Sequence, residues 1–533
     1  MSGPAGFFRS ASDLARIAIK KLSFVVRKDN RLVMSAKPWL WALLILACLV
    51  GPAWSQDQDA AKVEMAVNRL SFGPTPGELD RVRAMGVSAY VQEQLNPEAL
   101  PEPPELLTHL SGLKSLEMDT VALFRAYGPK PSESGHATPS MEDIEAARKK
   151  AELVVKEAAC AKLWRALLSP RQLQELMVDF WYGHFNVPAG TGLTHLWVGT
   201  YEREAIRPHA LGKFADLLLA VNLHPAMLVY RENWQNTAPD SADAKGKSKT
   251  FSENQARDIL AGQTMGPSGA FKPQDVTNLA RVLAGWSLGA PRSAHDKNGV
   301  IFDDKRHDVK DKTLLGKTIK GAGMAEAEEA LRLLAGQPAT AKFVCHKLAR
   351  FFLADEPPKE LEERLAQTFM STNGDIKVVL QTMFAEPAFW DKKYAWGKFK
   401  SPLRYVVSVL RASGRTVGDV RPLMDDLAGM GSSLYESQPP AGGKDGREAW
   451  LNADWMLKRT LFAFRAGQGL LACLTCPGKT DQWSYQPPAP LDAGQLSSAM
   501  GLDLSQASRD VLAACPPRLK ASVLLAGPEA QNY

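Results

Sequence analysis

The chain has 533 residues, 45% hydrophobic and 23% charged, an ordinary balance for a soluble globular protein and enough to bury one large core or two lobes. Its formal charge of +6 sits entirely in residues 1–37, where eight Lys and Arg face two Asp, leaving 56 basic and 56 acidic residues beyond. A nucleic-acid-binding surface draws on a basic excess, so the balanced body of the chain argues against that class of partner.

The first 55 residues read as a leader. PWLWALLILACLVGPAW follows Lys37, and Ala53-Trp54-Ser55 forms a small-x-small cleavage site, the layout of a secretory signal peptide with its core at 34–55. Met34 stands just before that core and offers an alternative start. The apolar run is short for a membrane span and is interrupted by Pro38 and Gly51-Pro52. The protein is therefore expected to be exported, periplasmic or extracellular. The alternative is envelope anchoring through an uncleaved leader or a lipidated Cys48, the leader then being the one membrane contact. Residues 56–533 are expected to form a single large helical domain, with two lobes joined near 231–251 as the alternative arrangement.

In chain order, a helix runs from Ala60 into RLSF, and Thr75-Pro76 are placed to cap and open the helix of GELDRVRAMG. A proline-rich connector covers 97–104, and 128–142 lacks apolar periodicity and reads as a loop. A long amphipathic helix covers 142–168, and Ser169-Pro170 open the next, which ends in FWYGHF. His184 lies there among aromatic residues, either as a hydrogen-bonded core histidine or as a base or metal ligand facing a cavity. Residues 201–228 are helical and carry Arg207, and NTAPDSADAKGKSK at 236–249 reads as a disordered surface loop.

The stretch from Ser252 to Lys317 gathers the polar residues least like surface filler. Glu253 and Arg257 stand four apart, so they meet on one face of a helix. Gly262, Gly266 and Gly269 are expected to break that helix into a loop. Pro273 then opens a helix whose apolar face runs Val276, Leu279, Ala280, Leu283, Trp286, and His307, Asp308, Lys312 and Gly316 follow. Beyond it, helices are expected on both sides of Gly336-Gln337-Pro338, after a turn ending at Asp375, and over GKFKSPLRYVVSVLRASG, with a Pro/Gly loop at 437–447. The fold class that follows is mainly α, a multi-helix globular domain with long irregular loops and little or no β-sheet.

Three blocks carry a family resemblance: Glu253-Asn254-x-Ala256-Arg257-Asp258; Asp275-Val276 through Ala280-Arg281 to Gly285-Trp286; and His307-Asp308 through Lys312-Thr313 to Leu315-Gly316. Together with RLSFGPTPGELDRVRAMG, FWYGHFNV, the 206–228 segment, PATAKFVCHKLARFF and the closing LLAGPEAQ, they make the chain from about 65 to 530 resemble a bacterial domain-of-unknown-function family, number eighteen hundred in its series. The resemblance implies no established activity. The chain also departs from the family pattern E-L-x-E-L-H-T-L-G after Arg257, with Ala261 and Gln263 standing where that pattern has Glu and His. Its late Q-P-P-D-V-x-G-W segment is likewise altered around Gln438–Trp450. If the family acts through that Glu or His, this is a diverged member.

The chemistry on offer is dispersed. His184, Glu253, His307 and Asp308 are the candidate catalytic groups, and Arg207, Asn254, Arg257 and Lys312 the candidate binding groups. His184, Glu253 and His307 could supply mixed nitrogen and oxygen ligands to a metal, although no metal or other cofactor is specified by a motif. The competing reading makes Glu253–Arg257 and Asp308–Lys312 ion pairs that knit helices together. Leu315-Gly316-Lys317-Thr318 fails as a phosphate loop because Asp311 occupies the required glycine position. Export permits disulfides, and Cys473 and Cys476 form the candidate pair. A redox role for these thiols would call for a βαβ context that is not visible. The function expected is an exported helical binding or scaffold protein at the cell envelope, working with an exported protein partner. The alternative is a periplasmic hydrolase, metal-assisted or not, built on His184, Glu253 and His307.

Overall fold

The structure is a computed structural model that describes residues 60–129, 141–244, 251–290, 296, 298–437, 446–474 and 489–533. The expected leader, most of the 128–142 loop, residues 438–445 and Cys476 lie outside the described residues.

Helices dominate because apolar residues recur at helical spacing along most of the chain. In the first helix, residues 60–70, Val63, Ala66, Val67 and Leu70 are all buried, an i, i+3, i+4, i+7 stripe. The next, Glu78–Met85, starts two residues later than its Pro76 opening suggests. Gly77 is the residue before it, and Thr75 instead accepts the Glu78 amide on its carbonyl and gives its own N–H to the Glu78 carboxylate at 2.8 Å. Helices Met141–Leu168 and Gln172–His184 follow as expected, and the second buries ten of its thirteen residues. Helices Ala325–Ala335 and Pro338–Phe352 flank the Gly336-Gln337 break, and Asp375 caps helix Ile376–Ala385 by accepting the Val378 amide.

Three local expectations change. Gly262 does not end the helix after Glu253: helix Asn254–Asp258 continues into a π-helical turn, Ile259–Thr264. Trp286 leaves the helix Pro273–Leu283, because Gly285 turns the chain at φ 96° and Trp286 opens a strand. Residues 236–241 are not a disordered surface loop. Asn236, Ala238 and Ser241 are buried, and the Asn236 side chain donates to the Asn233 side chain and to the Ala280 carbonyl, both at 3.0 Å, while its oxygen accepts from Ser252.

Among the described residues, two small antiparallel ladders interrupt the helices. β1 (Trp286–Leu288) pairs with β2 (Val300–Phe302), and β3 (Lys312–Leu314) pairs with β4 (Lys317–Ile319). The second is a two-residue hairpin whose turn, Leu315-Gly316, has φ of 50° and 80°, the left-handed pair that matches strand twist. Residues Asp59–Tyr533 form one compact unit around a continuous apolar core. Its first and last described segments meet. Arg404 Nη2 donates to the carbonyls of Asn68, Arg69 and Ser71 at 2.7, 2.8 and 3.0 Å. Residues Gln531–Tyr533 lie antiparallel to 398–400, with Lys400 N donating to Gln531 O at 2.8 Å and Tyr533 N to Lys398 O at 2.9 Å.

Candidate functional site

The expected site residues fall into three buried networks and a surface rim. The first centres on Glu326, which opens helix Ala325–Ala335 beneath the β3–β4 hairpin. His307 is buried, with Nδ1 2.8 Å from the Ala284 carbonyl and Nε2 2.9 Å from Glu326 Oε1. Nδ1 faces an acceptor, and Nε2 lies between Glu326 Oε1 and, at 3.4 Å, the Lys312 ammonium, so both ring nitrogens are engaged inside the network rather than turned towards a ligand. Lys312 Nζ lies 2.6 Å from Glu326 Oε2 and also donates to the Asp308 carbonyl. The Ala322 and Gly323 amides complete the shell of Glu326 Oε1 at 2.9 and 3.0 Å. Burial raises the Glu326 carboxyl, but hydrogen bonds from His307 and Lys312 outweigh it and hold the group below its ordinary value. The expected pairings are therefore exchanged. Lys312 pairs with Glu326 rather than with the Asp308 carboxylate, and Glu326, not Asp308, is the carboxylate facing His307. The Asp308 carboxylate accepts from Lys310 N at 3.0 Å and lies 3.4 Å from Arg281 Nε.

A second network surrounds Arg207. A π-helical turn, Tyr201–Ile206, sets Glu202 inward, and such turns often mark functional sites. Arg207 grips Glu175 with two bonds of 2.6 and 3.0 Å and reaches Glu202 at 3.1 Å. Lys162 lies 2.9 Å from Asp179 and 3.4 Å from Glu202, and Tyr435 donates to Glu202 at 2.8 Å. Burial pushes the Glu202 carboxyl up, yet Lys162, Arg207 and the Tyr435 hydroxyl bring it down to about 2. Lys162, Glu175, Asp179, Glu202 and Tyr435 were not singled out by sequence. The available signal was Lys162, one charge inside the apolar run AACAKLW.

The third network joins His184 to the π-turn at Ile259–Thr264. His184 Nε2 donates to the Gln263 carbonyl at 2.9 Å, and Nδ1 accepts from Lys347 at 2.8 Å. Burial and the Lys347 ammonium keep this imidazole well below its ordinary value, so it stays neutral. Gln263, where the resembled pattern has His, uses both ends of its amide. It accepts from Asn222 and donates to Asp258, each at 2.7 Å, and Asp258 holds Arg231 at 2.8 Å.

Glu253, Asn254 and Arg257 form the rim. Glu253 pairs with Arg257 at 3.0 Å, as its spacing implied, and accepts from Thr277 at 2.6 Å. Asn254 reaches Glu232 at 3.3 Å. His184, Glu253 and His307 thus belong to three separate sets of partners. Among the described residues, no three His, Cys, Asp or Glu side chains are grouped so as to hold a metal ion. A groove of about 920 Å³ is lined by Glu64, Asp80, Arg83, Asp492 and Gln495 among others, and by none of the expected site residues. Cys473 is a buried free thiol, its pKa pushed up to about 12 by burial first and then by Asp426; its expected partner Cys476 is outside the described residues.

A family model described as "Protein of unknown function (DUF1800)" matches residues 65–529. No curated protein and no solved structure matches the chain.

Proposed function

The chain belongs to the DUF1800 family, and we propose that it is an exported binding or scaffold protein of the cell envelope whose buried polar networks hold the fold rather than turn over a substrate. The observation that carries this reading is the saturation of His307. Both ring nitrogens, the Lys312 ammonium and the Glu326 carboxylate satisfy one another out of contact with solvent. A catalytic base needs a lone pair within reach of a substrate, and a buried polar network needs none. Export is supported by the charged, apolar and small-residue pattern of 34–55. An exported protein is the partner that fits such a role.

The hydrolase alternative requires His184, Glu253 and His307 to act at one place. The test is elemental analysis of protein purified from the envelope without chelators, with chromogenic ester, phosphoester, glycoside and peptide substrates, for the wild type and His307→Ala. The expected result is no stoichiometric metal and no turnover, with His307→Ala lowering the melting temperature. Turnover or metal that vanishes in a still-folded His307→Ala variant would overturn the scaffold reading.

A further inference from the structure

Helix Ala453–Gly467 is apolar on two opposite faces. Arg459, Phe462, Ala463, Ala466 and Gly467 are buried, and they pack on helix Lys520–Ala526 so closely that a Cβ on Gly467 would stand 2.4 Å from Ser522 Oγ. The other face carries Leu457, Leu461 and Phe464 at i, i+4, i+7, with Leu451 and Leu470 just off the two ends. These five side chains are between 44% and 57% exposed. Single exposed leucines are ordinary; three exposed apolar side chains on one face of one helix, with two more beyond its ends, mark an interaction surface.

The spacing of that row names its occupant. Leu457 and Phe464 stand three residues before Thr460 and three after Leu461, and Leu451 and Leu470 stand nine before and nine after the same pair. A twofold axis through the Thr460–Leu461 peptide therefore sets Leu457 against Phe464 and Leu461 beside its own copy, with Leu451 and Leu470 equally far from the axis at the two ends. Charge follows the same symmetry. Asp454 has no ion-pair partner among the described residues. Under this axis it falls about 3 Å along the helix from Arg465 of the other copy, at a rise of 1.5 Å per residue. Arg465 is bound to Asp426 and keeps a 41% exposed side chain. Antiparallel packing also opposes the two helix dipoles. We infer that this face is an isologous contact in which helix Ala453–Gly467 pairs antiparallel with the same helix of a second copy of this chain.

Sedimentation equilibrium of the full-length protein over about a hundredfold concentration range reads the pairing directly. The expected result is a reversible monomer–dimer equilibrium, weakened at least tenfold by Leu461→Asp with the melting temperature unchanged. Leu461→Cys, beside the axis, is expected to form an intermolecular disulfide on mild oxidation faster than the unsubstituted protein does. Leu451→Cys is not, because its two copies lie well beyond the roughly 7 Å that a disulfide spans. A monomer at every concentration overturns the pairing, including one that binds vesicles or another protein through this row. So does a dimer indifferent to Leu461→Asp, or self-crosslinking of Leu451→Cys as fast as Leu461→Cys.

Discussion

Glu326 accepts from His307, Lys312 and two backbone amides, so its charge is distributed over four donors with none left for solvent. Removing that charge while keeping the shape isolates what it does. Glu326→Gln leaves the buried Lys312 ammonium without a counter-charge, and breaking one side of a buried pair costs about 3–5 kcal/mol. Urea unfolding should show a loss of that size. Glu326→Gln paired with Lys312→Met should recover part of it, since no unpaired charge is then buried. A catalytic carboxylate would instead show activity lost with stability kept. The depressed Glu326 carboxyl also fixes a sign. It adds stability above the ordinary carboxylate value, and that contribution is lost as pH falls through its folded value.

At the level of elements, the π-turn at Ile259–Thr264 explains how a polar, uncharged side chain fits a buried position. The turn places Gln263 between Asn222 and Asp258 and offers its carbonyl to His184. A neutral imidazole could accept from Asn222 and donate to Asp258 in the same place, so Gln263→His should melt close to the wild type. Gln263→Leu keeps the volume but removes one hydrogen bond from each neighbour, leaving Asn222 its bond to the Leu218 carbonyl and Asp258 its pair with Arg231, at about 0.5–1.5 kcal/mol for each bond lost. Differential scanning calorimetry of the two variants separates them. Equal, large losses would show that the amide shape matters more than its bonds. The β3–β4 hairpin is a comparable case, since its Leu315-Gly316 turn bends at a non-glycine left-handed residue and so carries a weak sequence signal.

Across the whole molecule, the helical class and most helix positions were legible because apolar spacing is local and repeated, as in residues 60–70 and 402–413. The site was legible only in part. Glu253–Arg257 could be read from its spacing of four, whereas Glu326 reaches His307 across 19 residues and Tyr435 reaches Glu202 across 233, separations that no local pattern encodes. The closing segment shows the same long reach. Lys400 is buried beside Arg404 and Arg459, donating to the Ala530 carbonyl at 2.9 Å, and burial first, then those two guanidinium groups, bring its pKa down to about 7 from 10.5. Between those values the unfolded chain holds a proton that the folded protein releases, so this lysine's contribution to stability is lowest below pH 7 and rises towards pH 10.5. Stability measured against pH should climb through that window in the wild type and climb less in Lys400→Met; parallel curves would reject the shift. The Arg404 clasp also sets a timetable. Asn68, Arg69 and Ser71 wait for a guanidinium more than 330 positions downstream, and 398–400 wait for Gln531 and Tyr533. A chain delivered from its amino end therefore cannot complete these contacts until its last residues arrive, and contacts of such long range form slowly. Until then, the amino-terminal carbonyls that Arg404 later covers stay open to water and to any other donor.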